Sequence, residues 1–524
     1  MSKATDVAKV STKGGFHLLW GITISTLISL AGTYYINNLL GPSDTGLYTI
    51  ILGAPALIMT FGDWGINVAM VRYVAQYNSQ NNTAKIRSIL VAGLLFQLII
   101  GLALTILAIV VAGYMSDSMY SRPELVLFIQ IAALSVLSGI LMNVASAVFT
   151  GMDRLRLNSI MLIVQSIVKT GLVIALLVFG FGLLGATIGF TVGVIVASIT
   201  GVLFIYTLYS SLPKSPDGNL AIGETIKTML KYGLPISIGT MLIGFLLVFY
   251  TSVLMPAFIT DNSAVGNYSN AQKFVVLITF FATPVTTMLF PAFSKLDYRK
   301  NPQDLKNIFQ YSVKYASLLV VPVTILVMSL AGPIINTLFP EFLDAPFYLV
   351  LLSISYLFTA MGGLSVVNLI NSQGDTKYAL KLSILQAVIG FPLGVVLISQ
   401  FGLIGLIASN LINVFPGLLL GLGYIKKRYG VSVDWIASAK ILSSSAVTGV
   451  LTYLVVTALP FSSLIRLIIG VAVFVVVFVL IAVFTRTITR LDLEIMQTLV
   501  EGLGPLRKPI HKVLSIIDKL ISLR

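Results

Sequence analysis

The chain has 524 residues, 57% of them hydrophobic and only 10% charged, with mean hydropathy +0.98, whereas soluble domains carry about 25% charged residues. Water is therefore not its main solvent, and no polar segment is long enough to house a soluble catalytic domain. Cysteine is absent, which excludes a disulfide framework, a thiolate metal site and a catalytic thiol, and His17 and His511 are the only histidines.

Crossing about 30 Å of hydrocarbon takes about 20 apolar residues, and runs of that length follow one another from Phe16 to Thr485. Residues 1–15 read as a cytoplasmic N-terminus. The first run is too long for a cleavable signal and reads as a span. Spans are expected near 16–40, 46–70, 88–115, 124–150, 157–179, 183–209, 232–256, 267–290, 312–338, 347–371, 378–399, 402–425, 438–459 and 462–485. The fold class is thus all-α integral membrane with about fourteen transmembrane helices. With the N-terminus in the cytoplasm, 29 of the 33 basic residues fall on one side, so the positive-inside rule places both termini there. The net charge of +14 is then membrane topology, and no nucleic-acid partner is expected. Beyond the last span, residues 490–524 place Leu514, Ile517 and Ile521 at helical spacing among Lys512, Lys519 and Arg524, the pattern of a basic amphipathic helix lying in the cytoplasmic interface.

A shift of 220 residues brings two signals into register: Gly46-Leu47-Tyr48 falls on Gly266-Asn267-Tyr268, and Phe181-Gly182-Leu183-Leu184-Gly185 falls on Phe401-Gly402-Leu403-Ile404-Gly405. Six spans separate the equivalents, so the halves have the same orientation. The domain reading is one six-helix bundle over 16–209, a cytoplasmic linker over 210–231, a like-oriented bundle over 232–425, and two extra helices over 438–485. Two such bundles leave a central cavity that rocking opens to alternate sides, the arrangement of many carriers.

Charge inside a span is expensive and normally faces protein or a water-filled cavity. Lys273 lies about 9 Å into the eighth span, one turn after Asn270 and next to Gln272. It suits contact with an anion such as a diphosphate; the alternative is a lysine snorkelling to the nearer interface. Lys169, near the middle of the fifth span, shares a helix face with Gln165. Asp63, in Phe61-Gly62-Asp63-Trp64-Gly65, is a candidate for a coupling cation or a wet helix-terminal carboxylate, and its flanking glycines suggest a close contact or a local helix break. Pro284 and Pro291 on the Lys273 span, and Pro55, Pro235, Pro322, Pro333, Pro392 and Pro416 elsewhere, can kink helices. The outer face carries Asp117, Glu124, Asp261, Glu341 and Asp344, none as a compact pair with a histidine, so no metal is expected; no nucleotide-binding loop is present. The chain reads as a transporter without cofactors rather than an enzyme.

Leu40-Gly41-Pro42-Ser43-Asp44-Thr45-Gly46-Leu47-Tyr48, Val265-Gly266-Asn267-Tyr268-Ser269-Asn270-Ala271 and the two Phe-Gly-Leu-x-Gly turns carry a resemblance over essentially the whole chain. It resembles the polysaccharide and lipid-linked oligosaccharide flippases of the multidrug/oligosaccharidyl-lipid/polysaccharide (MOP) superfamily, which also holds the MATE drug exporters and lipid II flippases. The resemblance implies a flippase moving a polyprenyl-diphosphate-linked oligosaccharide from the cytoplasmic to the outer leaflet of the cell membrane, with glycan-assembly enzymes as candidate partners beside the membrane lipids. It also implies that Lys273 stands where lipid II flippases carry a basic residue. Span one departs from those relatives in having no base between His17 and Leu40, which argues against a peptidoglycan precursor as substrate. The alternative is a cation-coupled exporter of amphipathic small molecules. A membrane scaffold for glycan assembly is disfavoured by the charges inside the spans.

Overall fold

Peptide groups that leave water need partners within the chain, and a helix supplies them locally. In the computed structural model, which describes residues 3–213, 221–296 and 298–488, every regular element is helical. The elements are α1 (Lys3–Met59), α2 (Ile66–Ser79), α3 (Thr83–Tyr114), α4 (Val126–Gly151), α5 (Leu155–Val178), α6 (Gly182–Ser211), α7 (Ile222–Phe249), α8 (Met255–Phe258) and α9 (Asn262–Phe274). They continue with α10 (Val276–Ser294), α11 (Pro302–Ser329), α12 (Ala331–Leu338), α13 (Ala345–Leu357), α14 (Val366–Ser372), α15 (Thr376–Tyr429), α16 (Trp435–Ala458) and α17 (Ser463–Phe484). Among the described residues, eight helices are long and apolar enough to cross a membrane, or nine when the pair α13 and α14, bent by 51°, counts as one span. The expected interfacial helix over 490–524 lies outside the described residues.

Two of the long runs contain a corner at a glycine. In α1, Gly41 takes φ 70°, ψ 178°, between the first and second expected spans. In α15, Gly402 takes φ 57°, ψ −131°, between the eleventh and twelfth. Side chains other than hydrogen are strained at such φ values. The second corner folds the chain back on itself, because a methyl on Gly405 would come within 3.0 Å of the Ile398 amide nitrogen, seven residues earlier. A straight helix would hold those residues about 10 Å apart. The second expected span is interrupted at residues 60–65, around Asp63 and its flanking glycines, and others are interrupted where hydropathy is continuous: the eighth at Val275, the ninth at Leu330 and the tenth between Phe358 and Ser365.

The described residues form two compact units, one holding the chain up to Ser269 together with Ser383–Asn410, the other holding Asn270–Leu382 with the chain from Leu411. In the first unit, α5 packs on α6 and α1, and an aliphatic core forms around Met70, Leu90, Val148, Phe149 and Met161. The same unit contains a close crossing of the segments 42–49 and 262–269. A methyl on Gly46 would overlap the carbonyl oxygen of Asn262 and come within 3.0 Å of Gly266 N; a methyl on Gly266 would overlap the carbonyl oxygen of Pro42 and come within 3.1 Å of Gly46 N. Thr49 donates its hydroxyl to Ser269 Oγ at 2.8 Å across a sequence separation of 220. Residues 42, 46 and 49 thus meet 262, 266 and 269 reciprocally, the repeat interval read from the sequence, as a local two-fold axis requires.

In the second unit, Asp375 precedes α15 and joins its two ends. Tyr429 and Tyr424 donate their hydroxyls to Asp375 Oδ2 at 2.6 and 2.7 Å, and Arg428 Nε lies 3.9 Å away. These bonds, that from Tyr429 foremost, hold the Asp375 carboxyl below the usual carboxylate range. A lowered folded value stabilises the fold above the unfolded pKa of about 3.9 and is lost as pH falls through the folded value. The difference in melting temperature between wild type and Asp375→Asn is therefore expected to be full at pH 6 and to shrink below pH 4.

At the glycine crossing, Gly46→Ala is expected to lower stability by about 1–3 kcal/mol, because the new methyl meets backbone that cannot turn aside. Gly113→Ala, which meets nothing within 4 Å, should leave the thermal melt of the purified protein unchanged within error.

Candidate functional site

An amide or charge on a helix of hydrocarbon length must either serve the backbone or face something other than lipid. Helix α9 concentrates such groups. Asp261 opens it by accepting from the amides of Ser263 and Ala264 at 2.8 and 3.2 Å, and Asn267 donates to the Ser263 carbonyl at 2.9 Å. Ser269 receives the Thr49 hydroxyl. Asn270 is fully buried, and neither its Oδ1 nor its Nδ2 has a hydrogen-bond partner among the described residues. Gln272 is exposed and Lys273 half-buried. Lys273 falls in the last turn of α9, which ends at Phe274. Helix-terminal carbonyls there favour a cation.

Lys169 and Gln165 are both half-buried on α5. The Lys169 backbone is held against α6 so closely that a methyl on Gly193 would come within 2.7 Å of its Cα. Such small-residue contacts are how membrane helices approach. On the adjoining face, Ser25 and Ser166 share a hydrogen bond of 2.6 Å between α1 and α5. Lys169, Gln165 and Asp63 belong to the first unit, and Asn270, Gln272 and Lys273 to the second.

Asp63 sits in the break between α1 and α2. Its Oδ1 accepts from the amides of Gly65 at 3.0 Å and Asn67 at 3.4 Å, serving donors that the start of α2 leaves without helical partners. Gly65, at φ 84°, lies against the Gly233 backbone of α7, so the glycines provide both the break and the close contact. Asp63 also lines a cavity of about 240 Å³ with Thr60, Ser237, Met241, Gly244, Phe245 and Val248. Among the described residues it is the one acidic residue in that lining, so the cavity offers a carboxylate beside hydroxyls.

Two features were not legible in the sequence. Arg122 is buried and spends its whole guanidinium on backbone and Asn262: Nε donates to Asn262 Oδ1 at 3.0 Å, Nη1 to the carbonyls of Tyr120 and Pro256, and Nη2 to those of Ile259 and Thr260. All but Tyr120 of its partners lie 134–140 residues away, beyond any local pattern. Phe245, Phe249 and Phe391 form an aromatic cluster with centroids 5.3–5.8 Å apart, extended by Phe61 at 5.2 Å from Phe245. Four separate phenylalanines carry no motif to find it by.

Residues 11–297 match the family described as polysaccharide biosynthesis protein, more than half of the chain. The chain belongs to the polysaccharide biosynthesis protein family. Its relatives include an uncharacterized membrane protein of Methanocaldococcus jannaschii, 23% identical with 79% of this chain and 83% of the relative covered. Another is the lipid II flippase MurJ of Bacillus subtilis, 22% identical over 86% of this chain and 89% of the relative. Among solved structures, a lipid II flippase MurJ in an inward closed conformation superimposes with TM-score 0.67 at 15% identity, covering 90% of this chain and 98% of its own. An inward-facing MATE family multidrug resistance transporter of the MOP superfamily gives 0.59 at 18%, covering 77% and 98%. The chain is therefore a multi-pass membrane member of that family, with the fold of the MurJ and MATE structures.

Because Asp63 serves α2 through one oxygen, Asp63→Asn keeps the acceptor and is expected to leave the thermal melt nearly unchanged. Asp63→Ala removes it and should cost about 1 kcal/mol, in the range of a lost helix cap. Equal destabilisation by both variants would show that the negative charge, not the acceptor, matters.

Proposed function

We propose that the protein is a flippase that carries a polyprenyl-diphosphate-linked oligosaccharide from the cytoplasmic to the outer leaflet of the cell membrane by alternating access. The observation that carries this reading is the polar turn of α9, where the buried Asn270 amide has no hydrogen bond among the described residues and Lys273 follows at the helix end. A buried amide with both ends unpaired costs about 1–3 kcal/mol, a penalty that a diphosphate-sugar head group would relieve. Lys273 would supply charge to the diphosphate, with Lys169 as the second cation, and Gln272, Asn270 and Gln165 would supply amide contacts. The similarity to a lipid II flippase over 86% of the chain supports a lipid-linked cargo.

In this reading, the repeats over 16–209 and 232–425 are two like-oriented bundles, 438–485 adds two helices, and both termini are cytoplasmic. The positive-inside orientation would put the crossing of 42–49 with 262–269 on the outer side. Glycan-assembly enzymes that make the cargo are the expected partners. The alternative, a cation-coupled exporter, would need Asp63 to bind a cation with the one oxygen not given to the amides of α2.

The test is the leaflet distribution of a fluorescent polyprenyl-diphosphate oligosaccharide in proteoliposomes. Lys273→Ala is expected to slow its movement about tenfold or more, the value of a lost charge-assisted hydrogen bond, with an unchanged melt. Absence of lipid movement together with ion-driven uptake of cationic dyes would replace this reading with the exporter. The cysteine-free chain allows a second check: a Thr49→Cys/Ser269→Cys pair, oxidised to a disulfide, should stop movement, and reductant should restore it.

A further inference from the structure

A second polar cavity lies in the second unit, away from α9. It measures about 350 Å³ and is lined by α11, α12, α13, α16 and α17. Arg466 on its wall is half-buried, its Nε is sealed from solvent, and no hydrogen bond or ion pair engages its guanidinium among the described residues. An arginine near a membrane interface ordinarily carries its charge out to water along its apolar stem. Here the charge-bearing group is partly withdrawn from water without compensation, which is costly unless a ligand supplies it.

The surroundings select for an anion. Among the described residues, no carboxylate lines the cavity. Asn336, Tyr453 and Ser463 line it with an amide and two hydroxyls that make no hydrogen bond among the described residues, whereas Ser329 and Thr457 already donate to carbonyls of their own helices. Arg466 also stands in the first turn of α17, where the helix dipole opposes a cation and welcomes an anion. The N-cap, Ser462, makes no side-chain hydrogen bond to that turn, so amides at the start of α17 remain without a side-chain cap. Phe347 and Val350 give the same cavity apolar walls. A site with four polar donors, apolar walls and no acid matches an amphiphile with an anionic oxyacid head.

We propose that this cavity binds the phosphate group of an anionic membrane lipid, with Arg466 as its counter-ion and Asn336, Tyr453 and Ser463 as neutral donors. The phosphate can come from a resident phospholipid or from a polyprenyl phosphate carrier. The assignment does not depend on what the protein transports, since it rests on Arg466 and its cavity rather than on α9.

Native mass spectrometry of the purified full chain would test it, with phosphatidylglycerol, a polyprenyl monophosphate and, as the phosphate-free control, diacylglycerol as probes. Wild type is expected to retain a phosphate-bearing lipid at concentrations where diacylglycerol is lost, and Arg466→Gln to weaken that adduct about tenfold or more. Arg466→Lys should recover part of it. Retention of phosphatidylglycerol alone identifies a resident phospholipid, of the polyprenyl phosphate alone the carrier, and of both a site that reads only the phosphate. Equal adducts on wild type and Arg466→Gln, or diacylglycerol held as tightly as the phosphate lipids, overturns the proposal. Should Arg466→Gln not fold, Asn336→Ala/Ser463→Ala, at an exposed and a half-buried position, must lower phosphate-lipid retention severalfold, and an unchanged value likewise overturns it.

Discussion

In hydrocarbon an unpaired peptide group has no water to turn to, and the placement of several charged and amide side chains in this protein follows from that constraint. Several helix ends and interruptions free donors or acceptors that a specific polar residue meets. Asp63 serves the amides of Gly65 and Asn67. Arg122 serves four carbonyls around α8 and the loop before α4. Gln373 donates to the carbonyls of Phe293 and Leu296 where α10 ends, and accepts from the Tyr298 amide. Asp434 opens α16 through the amides of Ile436 and Ala437. Polar side chains therefore divide into those spent on the backbone and those held without a backbone task. Asn270, Gln97 and Arg466 are of the second kind, and their cost has to be met by packing or by a ligand.

The crossing near Gly46 and Gly266 brings together two segments about 220 residues apart in the sequence. Two equivalent segments approach around a local axis only if each presents a residue without a side chain where the other presents a carbonyl, and one glycine motif copied once satisfies both requirements. The copies have since diverged. Position 42 is proline and its equivalent is Asn262, whose side-chain oxygen receives Arg122. Symmetry is kept where backbone meets backbone and broken where a side chain fastens the loop.

Much of this was legible in the sequence. The expected limits of α5, α6, α16 and α17 fall within three residues of those observed, since long apolar runs bounded by polar turns leave little freedom. The corners at Gly41 and Gly402 fall between expected spans, the second of them in a Phe-Gly-Leu-x-Gly turn. The interruptions at Val275, Leu330 and Phe358–Met361 were not anticipated, because hydropathy averages over a window and is blind to one non-helical residue inside it. At the site, the sequence placed Lys273 at depth but not at a helix end, and it offered no sign that Asn270 would be buried without a partner. Both facts depend on neighbours distant along the chain.

The two kinds of contact around the segment 256–269 differ in strength, and the difference bears on how alternating access would work. The glycine crossing and the single Thr49 to Ser269 hydrogen bond are shallow, since polar contacts between membrane helices average about 0.6 kcal/mol. Arg122 is not shallow: a guanidinium that loses five partners while still buried leaves a charge without compensation. Opening the crossing by peeling Gly46 from Gly266 is cheap only if Arg122 either keeps its partners or exchanges them for water as it leaves. Movement that carries the loop holding Arg122 together with residues 256–262 would satisfy the first condition, and a hinge on their far side would then bear the rotation. Otherwise the free energy to release Arg122 must come from cargo binding, and a ligand shifts such an equilibrium only by its differential affinity for the two states. On that second route a ligand would have to bind the state that lacks the Arg122 contacts more tightly than the state that has them.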